Sequence, residues 1–594
     1  MKNNITRFTN VAGGRSLTQK YEFDKDNLPS IYYMSGTRNH AYTFDSLNRL
    51  KSTVINTQTP VNIDYIYWVS NRNSEGESTY RTTQLNTEVI GNTAYRYIYD
   101  NSGNITAVQE GTRGGTAESP AIVNNKNMVS YTYDSLNQLK RENNLYLNQT
   151  LVYNYDNGGN ITSKVIYPYT TVSNLSTVTP TKTITYQYGD SDWKDLLTSY
   201  NGQAINYDTI GNPLTYKGST LTWTGGRELK SLKNANNSIS YTYDANGIRA
   251  TKTVNGVKST YEYAGIQLVY EKRGNMDIYY FYDSYGNLSA IRYVNGSVDN
   301  IYYAVCNSRG DVEAFYNGSG TLKSRYVYDT WGNVIKIVDA NGKEITDQNN
   351  VAFINPIRYR GYYYDTETGF YYLKSRYYDP EIGRFINADG YISTGQGILG
   401  NNMFAYCGNN PVNRIDPTGH FFSEIWEFAK IAVAEIGKAI SAMSPAYAAC
   451  GGAAVADGPL PFGDAIGFIG AAAITIGAAG YGIYQATKAP STSISKAEEK
   501  EKDIALPTQP KAQAYFTVNP YNFHPKGLVR KCYDGTKNGA FISWMDPLTN
   551  TEVFRWDENP NYSNGPHYHI HGTGHYYPGT IVPEPYATVY FPFR

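Results

Sequence analysis

Five of the chain's seven histidines, His524, His567, His569, His571 and His575, fall within residues 511–594. Imidazole is the side chain that most readily trades a proton near neutral pH, and it is also a common metal ligand. HYHIH (567–571) alternates, so as a strand it sets His567, His569 and His571 on one face. Two chemistries suit such a face. Three imidazoles can hold a divalent metal such as zinc, because HxH spacing presents two ligands side by side. With no cofactor, one imidazole can instead take the 2′-hydroxyl proton of RNA while another protonates the leaving oxygen. The metal-free chemistry is the expectation, since the segment has few carboxylates to hold magnesium. His567 and His569 are then the acid–base pair, with His575 in reserve and Asp557 orienting an imidazole. Arg555, helped by Lys531, steadies the phosphate. The plain alternative is a surface strand with ordinary histidines. Seven Lys/Arg against six Asp/Glu in this segment make no basic patch, which counts against nucleic acid as the substrate.

These residues need strands to position them. GAFISWM (539–545) and TEVFRW (551–556) read as a hairpin across Asp546-Pro547, with HYHIH and YATVYF (586–591) as further strands. The expected unit is a small β-rich or α+β domain.

Upstream, one phrase recurs eight times. It reads YTFDSLNRL at Tyr42, YIYDNSGNI at Tyr97, YTYDSLNQL at Tyr131 and YNYDNGGNI at Tyr153. It returns as INYDTIGNP at Ile205, YTYDANGIR at Tyr241, YFYDSYGNL at Tyr280 and YVYDTWGNV at Tyr326. Period-two alternation is a strand with unlike faces, and the Gly-Asn step supplies a tight reversal. Aspartate at the strand end caps the turn with its carboxylate. One hairpin cannot bury its face alone, so the repeats must stack into a continuous sheet over residues 20–420 with no separate enzyme domain. The composition agrees: 59 Tyr and 54 Gly with only 18% charged residues mark strands and turns rather than helices. Stacked tyrosines could also hold sugars.

These phrases resemble the YD repeats of the Rhs and wall-associated protein families, whose sheet spirals into a cocoon-like shell around a C-terminal toxin. This repeat region is short for a cocoon, so a closed shell is expected to need residues upstream of Met1. From Pro356, PIRYRGYYYDTETGFYYLKSRYYDPEIGRFINADG and then NMFAYCGNNPVNRIDPTGH resemble the Rhs-associated core. The resemblance implies an aspartyl self-protease that uses Asp389 and Asp416 to cut between His420 and Phe421. Two carboxylates held close share a proton, so one serves as base and the other as acid. Two residues depart from the family pattern: His420 where Leu is usual, and Gly390 where Pro is usual. The alternative is that both aspartates are turn caps.

After His420 the composition changes. Residues 423–443 read as an amphipathic helix with Ser423 as N-cap and Glu424 and Glu427 at its positive end. Ala465 to Thr487 runs without a charge, long enough to span a bilayer, and reads as a conditional membrane segment. The domain reading is therefore 1–355 YD-repeat shell, 356–420 core, 421–487 helical and apolar pre-toxin segment, 488–510 linker and 511–594 toxin tip. RWDENPNYSNGPHYHI resembles the ends of small ribonuclease toxins of the barnase, EndoU and colicin group.

Four scattered cysteines argue against a disulfide scaffold or zinc ribbon. The opening MKNNITRFTNVAGG lacks a signal-peptide core, so a longer exported precursor or another export route is expected. The functional expectation is an Rhs-type polymorphic toxin, secreted or held at the cell surface, whose tip acts in a target cell's cytoplasm. Its expected partners are RNA and a cognate immunity protein. The competing expectation is a non-catalytic cell-surface or wall-associated protein that binds carbohydrate.

Overall fold

A computed structural model describes residues 5–424, apart from 25, 27, 73–77, 117–119, 392–397 and 421, together with five strands between 529 and 576. Ala465 to Thr487, the linker, residues 425–443, His524, His571 and YATVYF lie outside the described residues. The chain divides into two compact units, Met1–Ala489 and Pro490–Arg594.

Antiparallel strands build nearly all of the first unit. Sixteen, from Ile5–Ala12 to Gln203–Ala204, form one sheet, and fourteen, from Asn206–Tyr207 to Val334–Val338, form another. In each sheet the order in space is the order in sequence. The mainly β architecture is thus as expected, but two details are corrected. Strands begin at Ile5, well before residue 20. The strands expected as one continuous sheet are also divided, into sheets of sixteen, fourteen, four and two strands, the first break falling at Ile205.

The repeated phrase folds the same way each time. Asp100 Oδ1 accepts the N–H groups of Ser102 and Asn104 at 2.9 Å each, and Asp134, Asp156, Asp208, Asp244, Asp283 and Asp329 repeat the pattern. The glycine three residues after the aspartate, as at Gly103, takes positive φ (85°) to close the turn. The tyrosine just before each aspartate is pinned to the preceding strand. Tyr99, Tyr155, Tyr243, Tyr282 and Tyr328 donate to the carbonyls of Leu85, Leu139, Leu229, Leu268 and Val312 at 2.6–2.9 Å. These five tyrosines therefore keep their hydroxyls paired while their rings pack in or against the core.

The two sheets face one another in contact. Tyr21 Oη donates to the Tyr282 carbonyl at 3.1 Å, Ser308 Oγ to Glu88 at 3.0 Å, and Arg325 to Glu110 at 3.1 Å. Between them lies a cavity of about 80 Å³ lined by Tyr95, Tyr97, Glu110, Arg309 and Glu313 among others.

A small four-stranded sheet, Tyr363–Asp365, Phe370–Tyr372, Tyr377–Asp379 and Arg384–Phe385, packs into this core as a plug. Tyr359, Tyr371 and Tyr378 donate to the Thr330, Gly332 and Trp331 carbonyls, all in one repeat turn. Arg249 is fully buried, 2.6 Å from Asp365 and with the rings of Tyr241, Tyr261, Tyr363 and Tyr372 around it. Ser423–Glu424, expected to open a helix, instead forms a short strand paired with Arg414–Ile415. Among the described residues no helix is long and apolar enough to cross a membrane.

Candidate functional site

Asp389 and Asp416 come from different parts of the plug and meet at Arg376. Asp389 follows the strand Arg384–Phe385 and is fixed by its N–H on the Met403 carbonyl at 2.9 Å. Asp416 follows Arg414–Ile415 and is fixed by its N–H on the Tyr362 hydroxyl at 3.1 Å. Both are 2% exposed. Arg376 Nη2 stands 2.8 Å from Asp389 Oδ2 and 3.6 Å from Asp416 Oδ2.

Asp416 Oδ1 accepts the N–H groups of Gly419 and His420 at 2.8 and 3.1 Å, so it caps its own turn as the alternative reading held. The same turn is gripped from outside. Lys374 Nζ donates to the Pro417 carbonyl at 3.3 Å and Ser375 Oγ to the Thr418 carbonyl at 2.7 Å, while Arg376 Nε donates to the Gly419 carbonyl. Three consecutive side chains thus hold the three consecutive carbonyls that precede His420. His420 is described; Phe421 is outside the described residues, so the expected scissile bond between them is not.

Electrostatics sets the two carboxyls apart. Burial pushes Asp416 up to about 6, with Arg376 and His420 opposing and Asp389 adding to the rise. Burial would also raise Asp389, but Arg376 and the hydrogen bond from His420 hold it below the usual carboxylate range. One carboxyl that keeps a proton towards neutral pH beside one that does not is the arrangement of an acid–base pair. His420 Nδ1 lies 2.8 Å from Asp389 Oδ1, and Tyr391 packs edge-on against the imidazole at 5.0 Å.

Sequence reasoning found the aspartates and missed Arg376, Lys374, Ser375 and Tyr362. LKSRYYD carries three hydrogen-bond donors in a row before a strand, a signal that becomes legible only once their partners at 417–419 are known.

In the second unit five strands, Val529–Thr536, Gly539–Met545, Glu552–Asp557, His567–Ile570 and Gly574–Tyr576, form one antiparallel sheet in sequence order. Its register aligns the expected residues. Lys531 pairs with Ser543, Ser543 with Arg555, Arg555 with His569, and His569 with His575. Asp557 pairs with His567 one step along the same two strands. Directly opposed residues lie on the same face of a sheet, as do residues two apart. Lys531, Arg555, Asp557, His567, His569 and His575 therefore occupy one face, in two adjacent rows. His571 is outside the described residues, so the three-histidine metal set is not assembled by what is described. Ser543 was not anticipated.

Known proteins place the first unit. A protein named tRNA3(Ser)-specific nuclease WapA, from Bacillus spizizenii, is 29% identical over 373 residues, covering 55% of this chain and 15% of that protein. Toxin protein Tse5 of Pseudomonas aeruginosa is 45% identical over 64 residues, covering 11% of this chain and 5% of that protein. The chain thus spans a small part of the length of these relatives. The crystal structure of TcdB2-TccC3 superposes with a TM-score of 0.50 at 19% identity, covering 68% of this chain and 21% of that one, a likeness of fold. Residues 70–412, more than half of the sequence, match the family model described as Teneurin YD-shell, and the chain belongs to that family of Rhs/YD-repeat proteins.

Proposed function

We propose that this chain is part of a secreted polymorphic toxin of competition between bacteria. In this reading residues 1–355 are the shell, 356–420 the core that cuts the chain after His420, 421–487 the segment that aids passage through a membrane, 488–510 a linker and 511–594 a ribonuclease tip. The observation that carries the enzymatic part is the register of the C-terminal sheet. Arg555, His569 and His575 in one row, beside Asp557 and His567, supply the groups that RNA cleavage needs without metal. One imidazole removes the 2′-hydroxyl proton, a second protonates the leaving 5′-oxygen, and Arg555 with Lys531 offsets charge on the phosphate. Relatives with nuclease and toxin names favour the same direction. A cognate immunity protein is the expected partner, and the target cell's cytoplasm the site of action.

The test is to express residues 490–594, the whole second unit, in a bacterium and follow growth and total RNA. Growth arrest with RNA fragmentation is expected, abolished by His569→Ala or His567→Ala and little affected when purified enzyme is treated with a chelator. Strong inhibition by the chelator would move the assignment to a metal held by His567, His569 and His571. Intact RNA and DNA in healthy cells would replace the nuclease with the non-catalytic surface-protein reading.

A further inference from the structure

We propose that Glu88 and Glu313, drawn together where the two sheets meet, form a pH-operated fastener that keeps the seam shut in acid and lets the sheets part as pH rises. Such a device belongs to the shell alone and stands whether or not the C-terminal segment is an enzyme.

Hydrogen bonds cross the seam in both directions. Glu88, in the strand Ser78–Ile90 of the sixteen-stranded sheet, accepts from Ser308 Oγ in a turn of the other sheet at 3.0 Å. Glu313, in Val312–Tyr316 of the fourteen-stranded sheet, accepts in return from the Tyr95 hydroxyl. Arg325 reaches back across to Glu110 at 3.1 Å. The cations here are already matched to other acids. Arg325 pairs with Glu110, while Arg309 and Arg360 stand 3.5 and 3.4 Å from Asp311. Glu88 and Glu313 are left with no salt bridge among the described residues, and the buried Glu88 Oε1 has no hydrogen-bond partner there. A buried carboxylate without a counter-ion is costly to charge.

The other titratable groups around the pair do not change charge between pH 5 and pH 9. Tyr65, Tyr67, Tyr97 and Tyr99 stand around Glu88, and burial holds each phenol above its ordinary range. Tyr95, Tyr146, Tyr316 and Cys306 stand around Glu313, and burial raises these as well. The two glutamates are different. Burial pushes Glu88 up to about 8, with Glu313 adding to the rise and Ser308, Tyr97 and Arg309 opposing it. Burial takes Glu313 to about 7, with Glu110 adding and Arg325, Tyr95 and Arg309 opposing.

The closed seam therefore holds protons that an open, hydrated seam releases, so raising the pH favours the open form. The cavity of about 80 Å³ lined by Glu313, Glu110 and Arg309 gives several waters a place beside the ionised pair. The neighbouring turns point the same way. On either side of Val312–Tyr316 the repeat carries Asn307 and Asn317 where most copies carry aspartate. Asn307 Oδ1 still accepts from the N–H groups of Arg309 and Asp311, at 3.0 and 3.1 Å. The turn keeps its cap while one charge is left out next to Ser308, the residue that bonds Glu88.

The full chain is given a brief pulse of hydroxyl radicals at a series of pH values from 5 to 9, and oxidation is mapped to peptides by mass. Tyr97, 1% exposed and bonded to Glu88, reports the seam. Tyr241, 3% exposed against Tyr377 of the plug, reports unfolding of the whole unit. Oxidation of Tyr97 should rise on the order of tenfold between pH 7 and pH 9, as Glu88 gives up its proton, with Tyr241 protected throughout. Glu88→Gln combined with Glu313→Gln should stay closed to pH 9. Asn307→Asp, which keeps the cap and adds a charge, should open at a lower pH than wild type. Continued protection of Tyr97 in wild type at pH 9 overturns the fastener, and so does exposure of Tyr97 and Tyr241 together. A glutamine variant that opens at the same pH as wild type overturns it too. If that variant does not fold, Asn307→Asp decides, and an opening pH equal to that of wild type sinks the idea.

Discussion

Glu88 keeps a proton at pH values where most glutamates have lost theirs. Burial, reinforced by the nearby Glu313, pushes it up to about 8, although Ser308 and Tyr97 donate to it. Burial likewise takes Glu313 and Glu142 to about 7. For such raised carboxyls the native state holds a proton that the unfolded chain releases, so their contribution is fully present below about pH 4.5 and is lost as pH rises through 7 to 8. Glu88→Gln should melt with wild type at or below about pH 4.5 and increasingly above it as pH rises to 9. Equal melting temperatures at pH 9 would mean that Glu88 ionises freely in the folded protein. Asp365 works in the opposite direction. Burial would raise it, but Arg249 and Lys252 hold it below the usual range, so its contribution is present above that range and disappears in acid. Removing the buried cation by Arg249→Leu should cost roughly 3–5 kcal/mol in urea unfolding, because it strips one of Asp365's two cations and empties the space among four rings.

The repeat turn is the element on which the fold is written. Asp100→Ala deletes two main-chain hydrogen bonds and should cost about 1–2 kcal/mol, whereas Asp100→Asn should cost less than about 1 kcal/mol. The chain itself runs the second experiment: Asn307 and Asn317 stand at equivalent positions and accept from the residues four further on. The residue four after the aspartate has a further use. Asn104 meets Asn410, Gln138 meets Asn409, and Asn160 meets both Asn402 and Arg384, so successive turns dock the plug. Asn160→Ala should destabilise by roughly 2–3 kcal/mol, more than an exposed turn would, since it leaves buried plug donors short of an acceptor. This division explains what the sequence could tell. Turn capping was legible because every partner lies within four residues. The docking role of Asn160, the clasp of Lys374, Ser375 and Arg376, and the bond from His420 to Asp389 were not, because each joins residues tens or hundreds apart. In the C-terminal sheet, alternation already put His567 and His569 on one face. Opposing His575 to His569 is a matter of the register between His567–Ile570 and Gly574–Tyr576, which residue types do not state.

Across the first unit, bonds of two kinds divide the labour. Neighbouring strands are neighbours in sequence, so each sheet is a meander whose contacts are mostly local. The plug supplies the long connections, tying residues near 105, 138, 160, 195, 249 and 330 to a segment ending at Asp416. A meander has little resistance to being pulled from its ends. The load falls on one edge strand at a time, and each ladder opens like a zip rather than shearing all its bonds together. Under tension in an optical trap, the intact unit should hold until the plug gives way and then lengthen in a staircase. A hairpin such as residues 238–254 would release on the order of 6 nm at ~3.5 Å per residue. A chain built this way should yield strand by strand to a force that draws it from one end.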